Sequence, residues 1–382
     1  MNADKPFAAR LALKADLATE GKAHLKSETV VTLWDPWPRA QSVVHRRGSA
    51  RRRCYLGYGH GVDDHVTTPE SLPPLELREL RSLDLSEPPG EGKAAHVASA
   101  SGVVRRGDFV YVIGDDMLQM AVFEIAANEP GRLVPALPAG FAGNAKQRAE
   151  QKPDLEALTA LPPVDGEPHG GLLGLGSGSG QERDRGFFCP FAADGSLGGE
   201  PRAIDFHPVY ELLRSELDGE INIEGAAVFE ERLWLFHRAN RGDGPNAVAE
   251  FELTDLSRTL ADDQVVDRGE LRSLRAYDLG EIDGVRVCFS DATTLTGELI
   301  CFTASAEGSD DGSIRGSVVG TIDPAGEVHR LRTIDSRWKV EGLDATLDTG
   351  VISLLFVCDQ DDPEVPSPLL SATMPVNARF DG

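Results

Sequence analysis

One arrangement of residues recurs five times along this chain, and it limits the fold more than any other feature. Each copy has a polar residue, small residues, a turn, a strongly apolar run and a polar cluster. The copies are SGVVRRGDFVYVIGDD (101–116), LEALTALPPVDGEPHGGLLGLGSGS (155–179), IEGAAVFEERLWLFHRAN (223–240), SDATTLTGELICFTASAEG (290–308) and VEGLDATLDTGVISLLFVCDQDD (340–362). Their leading polar residues are Ser101, Glu156, Glu224, Ser290 and Glu341, spaced by 55, 68, 66 and 51 positions. A unit repeated at such intervals signals an array of one supersecondary element. Two weaker strand signals follow each copy, for example NAVAEFEL and then LRSLRAYDL. Four short strands per unit make the blade of a β-propeller, so the expected fold is all-β, with four-stranded antiparallel blades.

The residue types suit that geometry. The innermost strand of a blade lies nearest the axis, where room is least, and Gly-Ala-Ala fits there. The second strand is enclosed by the neighbouring blades and should be apolar on both faces, as RLWLFH, FVYVIG, LICFT and SLLFVC are. A propeller must also close. Residues 339–375 supply at most three strands, and LELRELRSLDL (75–85) can add the fourth by pairing the chain ends, which hides the open edges. This predicts five blades, or six if residues 28–66 form strands. LEALTAL (155–161) and FHPVYELLRSEL (206–217) read as short helices. The expected division is an N-terminal extension, 1–76, partly disordered, and a propeller domain, 77–382.

Charge narrows the partners. The chain carries 38 Lys and Arg against 62 Asp and Glu, a net charge of −24. Such a body repels nucleic acid and anionic membranes. The first 75 residues differ, with 11 basic and 8 acidic side chains. The five cysteines fit no zinc spacing, and three sit in apolar runs, so buried free thiols are expected. The N-terminal stretch has no long apolar core, and nothing approaches the ~20 apolar residues of a membrane span. The expected location is the cytoplasm, with no nucleic-acid or membrane partner; a protein partner is left open.

In a hairpin, the start of one strand lies beside the end of the next. The leading residues should therefore form a ring at one mouth of the central channel. Asp115 and Asp116, Ser177 and Ser179, His237, Arg238 and Asn240, Asp291, and Asp359, Asp361 and Asp362 should stand beside it. His96 is the other histidine placed near this mouth. Crowded carboxylates resist joint ionisation, which favours a bound cation or a raised pKa. Oxygen-only ligands suit Ca²⁺ or Mg²⁺. The candidate ligands are Glu156, Glu224, Glu341, Asn240, Asp291, Asp115 and Asp359. The candidates for catalysis are Glu224, Arg238 and His237, with Arg238 offering a fork to a small anionic substrate. The bland alternative is a ring that only satisfies strand amides and water.

ASGVVRRGDFVYVIGDD, NIEGAAVFEERLWLFHRAN and KVEGLDATLDTGVISLLFVCDQDD resemble uncharacterised bacterial propellers and the esterase-like phytase family. More distantly, Glu-Gly with the later FSDA is similar to the SMP-30/gluconolactonase/paraoxonase-type propellers. The likeness covers about residues 77–375. It implies a propeller, and it implies Glu224, Asn240 and Asp291 as cation ligands. The second Asn of that ligand set has no match here.

Other motifs carry less. GLLGLGSGSG (171–180) lacks the Lys-Ser/Thr end of a phosphate loop and reads as a strand entering a turn. GHGVDDH, with His60 and His65, sits in an irregular arm. Arg46, Arg47, Arg51, Arg52 and Arg53 read as a solvated arm. Three classes of function follow. The first is a cation-assisted hydrolase of an ester, lactone or phosphoester, with the cation on Glu156, Glu224 and Glu341. The others are a small-molecule or cation binding protein without turnover, and a protein-interaction scaffold.

Overall fold

A computed structural model of the chain describes Pro69, residues 72–137 and residues 154–376, apart from 230, 240–243, 254–255, 257–264, 267–270, 297–298, 309–311 and 336. The described strands form five antiparallel sheets arranged as the blades of a propeller. Blade 1 holds β2 (Ala100–Arg106), β3 (Phe109–Gly114), β4 (Gln119–Glu124) and β5 (Arg132–Pro135). Blade 2 holds β6 (Leu155–Leu161), β7 (Gly171–Gly176), β8 (Arg185–Pro190) and β9 (Arg202–Asp205). Blade 3 holds β10 (Ile223–Phe229), β11 (Arg232–His237), β12 (Asn246–Glu252) and β13 (Leu271–Tyr277). Blade 4 holds β15 (Val285–Thr296), β16 (Leu299–Glu307), β17 (Ile314–Ile322) and β18 (Val328–Ile334), preceded by the two-residue β14 (Glu281–Ile282). Blade 5 holds β19 (Val340–Asp348), β20 (Val351–Cys358) and β21 (Pro368–Pro375).

Blade 5 is completed from the other end of the chain. β1 (Arg78–Ser82) pairs antiparallel with β21, from Arg78 opposite Ser371 to Ser82 opposite Pro368. This is the closure expected of LELRELRSLDL. No sixth blade stands among the described residues; the stretch 28–66, with the Arg cluster and GHGVDDH, lies outside them.

The core explains the double-sided apolar strands. Five apolar clusters are buried, one at each junction between blades. In β11, Leu233 and Leu235 face the blade 2–3 junction, while Trp234 and Phe236 face the blade 3–4 junction. Alternate side chains of one strand thus enter different clusters. Phe236, Phe289 and Phe302 meet edge to face at centroid distances of 5.1 and 5.3 Å. The four described cysteines are free and buried, as expected; Cys54 lies outside the described residues.

Two segments read as helices separate. Residues His207–Leu217 form α1, with Pro208 in its first turn and Val209, Tyr210 and Leu213 buried. LEALTAL instead forms β6. Its good helix formers are overruled by position, because this strand lies next to the axis between β2 and β10. Among the described residues no helix is long and apolar enough to cross a membrane.

The innermost strands pack in the ring β2, β6, β10, β15, β19 and back to β2. Their approach is close enough to select residue type. A Cβ on Gly225 would lie 2.6 Å from the Ala292 amide nitrogen and 2.7 Å from the Asp291 carbonyl carbon. Side chains also stitch the ring. Asp291 accepts the Leu343 N–H at 2.6 Å across the blade 4–5 junction. Thr294 accepts the Val228 N–H at 3.0 Å and donates to the Val228 carbonyl.

Candidate functional site

All five leading polar residues occupy the same structural position. In each innermost strand the register slips by one residue, and the unpaired residue is Ser101, Glu156, Glu224, Ser290 or Glu341. A β-bulge removes one residue from the ladder and re-aims its side chain. The recurrent polar residue is therefore the bulge residue, and in four of the five copies a small residue after it, Gly102, Ala157, Gly225 or Gly342, packs against the neighbouring blade.

Four of the five open onto one cavity at the channel mouth, with a volume of about 340 Å³: Ser101, Glu156, Glu224 and Glu341. Asp115, Ser179, His237, Arg238 and Asp359 reach it from the ends of the second strands, as the hairpin argument requires. Blade 4 departs from this pattern. Ser290 is buried and donates to Thr303 Oγ1 at 3.1 Å. Asp291 is fully buried; its carboxylate accepts the Ala292 and Leu343 amides at 2.7 and 2.6 Å. Placing Asp291 among the ligands of the mouth is therefore corrected: it joins two blades. Burial drives its carboxyl well above the usual range, against the pull of those two amides. Blade 4 sends Glu307, at the end of β16, to the cavity instead.

The remaining expectations resolve individually. Asp116 is exposed and bonds Lys93 and Ser99. His96 is held by the Pro363 carbonyl at 3.0 Å. Asp361 pairs with Lys339, and Asp362 accepts the Glu364 amide. Asn240 lies outside the described residues.

The cavity carries eight carboxylates against three cationic side chains. Arg238 is buried at its centre. Its guanidinium meets Glu224 at 3.3 Å, Glu307 at 2.7 Å and Glu341 at 3.7 Å. Burial opposes its charge, but the three glutamates outweigh that and raise its pKa. Arg238 was expected to fork an anionic substrate; enclosed by glutamates, it neutralises the protein's own carboxylates. Lys339 is similarly held, by Asp359 and Asp361 at 2.9 Å each and by Glu341 at 3.7 Å.

Across the cavity stands a second group. One carboxylate oxygen from each of Asp115, Asp154 and Glu156 lies within 4.8 Å of the others. Asp154 is oriented by neighbours: its Oδ2 accepts Ser177 Oγ and Arg183 Nη1 at 2.7 Å each. The turn bearing Arg183 is fixed in its turn by α1. There Arg214 bonds the buried Asp184 and donates to the Gly178 carbonyl at 2.7 Å. Glu156 makes no hydrogen bond or ion pair among the described residues. Burial first, and then the charges of Glu224, Asp115, Asp154 and Glu341, push its carboxyl well above the usual range.

The other titratable groups are shifted by the same causes. Burial raises Glu224, partly offset by Arg238 and Asn222, whose Nδ2 donates to Oε1 at 2.5 Å. Burial also pushes Glu341 up to about 8, with Arg238 pulling it down and Glu224 up. His237 is lowered to about 4 by burial. Its Nδ1 accepts the Asn222 N–H at 3.0 Å, which leaves the neutral ring's proton on Nε2.

The sequence reading missed Asp154, Asn222, Lys339, Arg183 and Glu307. The first three were within reach. Each stands two residues before a bulge glutamate, and period-2 alternation puts it on the same side of the strand. Glu307 stands in the polar cluster that ends the fourth copy. Arg183 carries no such signal, because the fold of its turn depends on α1.

A family model described as "Family of unknown function (DUF6929)" matches residues 96–374, most of the propeller. The chain belongs to that family. The propeller implied by the motif resemblances is present, while the family that matches is DUF6929. No curated protein matches the chain. Among solved structures, it is similar to an α-L-arabinofuranosidase from Podospora anserina at 12% identity and a TM-score of 0.43, covering 79% of this chain and 98% of that one. The catalytic domain of a Coprinopsis cinerea GH62 α-L-arabinofuranosidase gives 10%, 0.44, 79% and 98% in the same order. A luciferin-regenerating enzyme gives 8%, 0.36, 74% and 93%.

Proposed function

We propose that the channel mouth of this DUF6929 propeller is a divalent-cation site serving the hydrolysis of a small polar substrate, an ester, lactone or phosphoester. One observation carries the reading: Asp115, Asp154 and Glu156 converge within 4.8 Å in a cavity where carboxylates outnumber cations. Three oxygen donors and no nitrogen or sulfur suit Ca²⁺ or Mg²⁺. The second-strand hydroxyls and Arg183 that fix Asp154 are the kind of outer support a metal ligand needs. This revises the ligand set from Glu156, Glu224 and Glu341, because the last two face Arg238.

A cation bound there supplies Lewis acidity toward a scissile oxygen. Glu341, shifted to about 8, exchanges a proton close to neutral pH, which suits it to take one from water. His237 stays neutral and presents an N–H donor. An anionic group on the substrate would be balanced by a cation held on Asp115, Asp154 and Glu156, since Arg238 is enclosed.

The test is thermal unfolding of the wild type and Glu156→Gln in EDTA, then in Ca²⁺ or Mg²⁺, followed by an ester and phosphoester screen. In EDTA, Glu156→Gln should be the more stable protein near neutral pH, because a carboxyl whose ionisation is opposed by burial and by neighbouring carboxylates in the folded state is gone. A cation at 100 times its dissociation constant should stabilise the wild type by about 2.7 kcal/mol. The variant should lose that response and the activity. If the wild type is indifferent to cations, the metal is wrong and Glu156 holds a proton instead. If cations stabilise but no substrate turns over, the mouth is a binding site.

A further inference from the structure

The face of blade 5 that looks toward blade 1 is only half covered. Near the mouth, Val357 and Leu369 are buried against Val103 and Val110. Farther along, β19 and β20 run for 9 and 8 residues, whereas β2 and β3 have 7 and 6. The overhang leaves an open groove of about 760 Å³ that uses none of the mouth residues. Ser353, Leu355 and Thr373 form part of its floor, and Leu80 of the closing strand forms part of its wall.

Two features set this groove apart. The first is charge. Arg78, Arg105 and Arg332 line it against two carboxylates, Glu76 and the buried Asp344 beside Arg105, so its lining is net basic on a chain whose net charge is −24. The Arg78 side chain makes no hydrogen bond or ion pair among the described residues. Arg105 makes one long bond, Nε to the Gly107 carbonyl at 3.4 Å. Their guanidinium donors remain open to a ligand. The second feature is exposed apolar surface. Seven large apolar side chains are exposed among the described residues. Leu80 lines the groove, and Val351 stands two residues before Ser353 on the same face of β20, so exposed apolar side chains border it.

We propose that this groove docks an acidic peptide segment of a partner protein, its carboxylates on Arg78 and Arg105 and its apolar side chains on Leu80 and Leu355. Arginine is among the residues enriched at protein interfaces. A small inorganic anion would use the guanidiniums and leave the leucines wet. The chain's own first 75 residues carry more basic than acidic side chains and do not complement three arginines. An extended segment alternating acidic and apolar residues presents one kind to the rim and the other to the floor.

The test uses the full chain and fluorescence anisotropy with a labelled short peptide alternating Glu and Leu, and a twin with Lys for Glu. The Glu peptide should bind, more weakly as salt is added. Binding should fall by at least about tenfold in Arg78→Glu/Arg105→Glu and again in Leu80→Asp. Circular dichroism checks that both variants are folded, and Arg78→Lys should retain partial binding if one fails to fold. Equal binding of the Lys peptide, or unchanged binding by the variants, overturns the proposal. So does binding of tripolyphosphate alone, which would make the groove a small-anion site. Self-association by light scattering that the arginine variants abolish would make the occupant a second copy and overturn it as well.

Discussion

Replacing Arg238 by Leu tests the electrostatic design of the mouth. The change removes the one cation that faces Glu224, Glu307 and Glu341 together. Glu224 and Glu341 are buried, so neither regains full solvation when the guanidinium goes. Breaking a buried pair by removing one partner costs about 3–5 kcal/mol. A propeller of roughly 300 residues unfolds with an entropy near 0.6 kcal/mol per kelvin, so the midpoint should drop by about 5–8 °C at pH 8. The size of the loss depends on pH. Both glutamates already titrate above their ordinary value, and losing Arg238 raises them further. The folded variant then binds more protons than the unfolded chain, so its stability falls as pH rises. At pH 5 Glu341 is protonated and the raised Glu224 is closer to protonation, so the deficit should shrink. Thermal unfolding by circular dichroism at pH 5 and pH 8 reads this directly, and adding Glu224→Gln should restore part of the pH 8 loss. An equal loss at both pH values would mean that Arg238 acts through packing, and the charge argument would fail.

Three further outcomes follow from the same interior. Burial pushes Asp344 up to about 7, well above its unfolded value, so its contribution favours the folded state below about pH 4 and is lost as pH rises to 7; a shift of that size is worth up to about 4 kcal/mol, and Asp344→Asn should flatten the pH profile of urea unfolding and be the more stable protein at pH 8. Gly225→Ala puts a methyl group against the backbone of Ala292 and Asp291 and should cost about 1–3 kcal/mol in denaturant midpoints; a neutral change would show that blades 3 and 4 can separate locally. His237, held neutral with a pKa near 4, should show no imidazole titration by NMR between pH 5 and pH 8, and a midpoint near 6.5 would place it in solvent.

Much of the architecture was legible because it repeats. The five leading polar residues marked five innermost strands, the double-sided apolar runs marked the enclosed second strands, and β1 followed from the need to close the ring. Glu224, Glu156 and Glu341 were readable as mouth residues from hairpin geometry alone. LEALTAL misled because its residues favour a helix, and only its position between β2 and β10 makes it a strand. Asp291 misled because its neighbour is in another blade: the amide of Leu343 is 52 positions away in the chain and 2.6 Å away in space.

The chain by itself determined the unit, its five recognisable copies with a sixth blade left open, the closure and the acidic character of one mouth. These are periodic or compositional properties, written locally in each copy. Tertiary structure alone decided which carboxylates face a cation and which face one another. Asp115, Asp154 and Glu156 come from two blades, while Arg238 of blade 3 is surrounded by blades 3, 4 and 5. Distance sets electrostatic energy, and the distances across a channel depend on how the blades meet rather than on spacing along the chain.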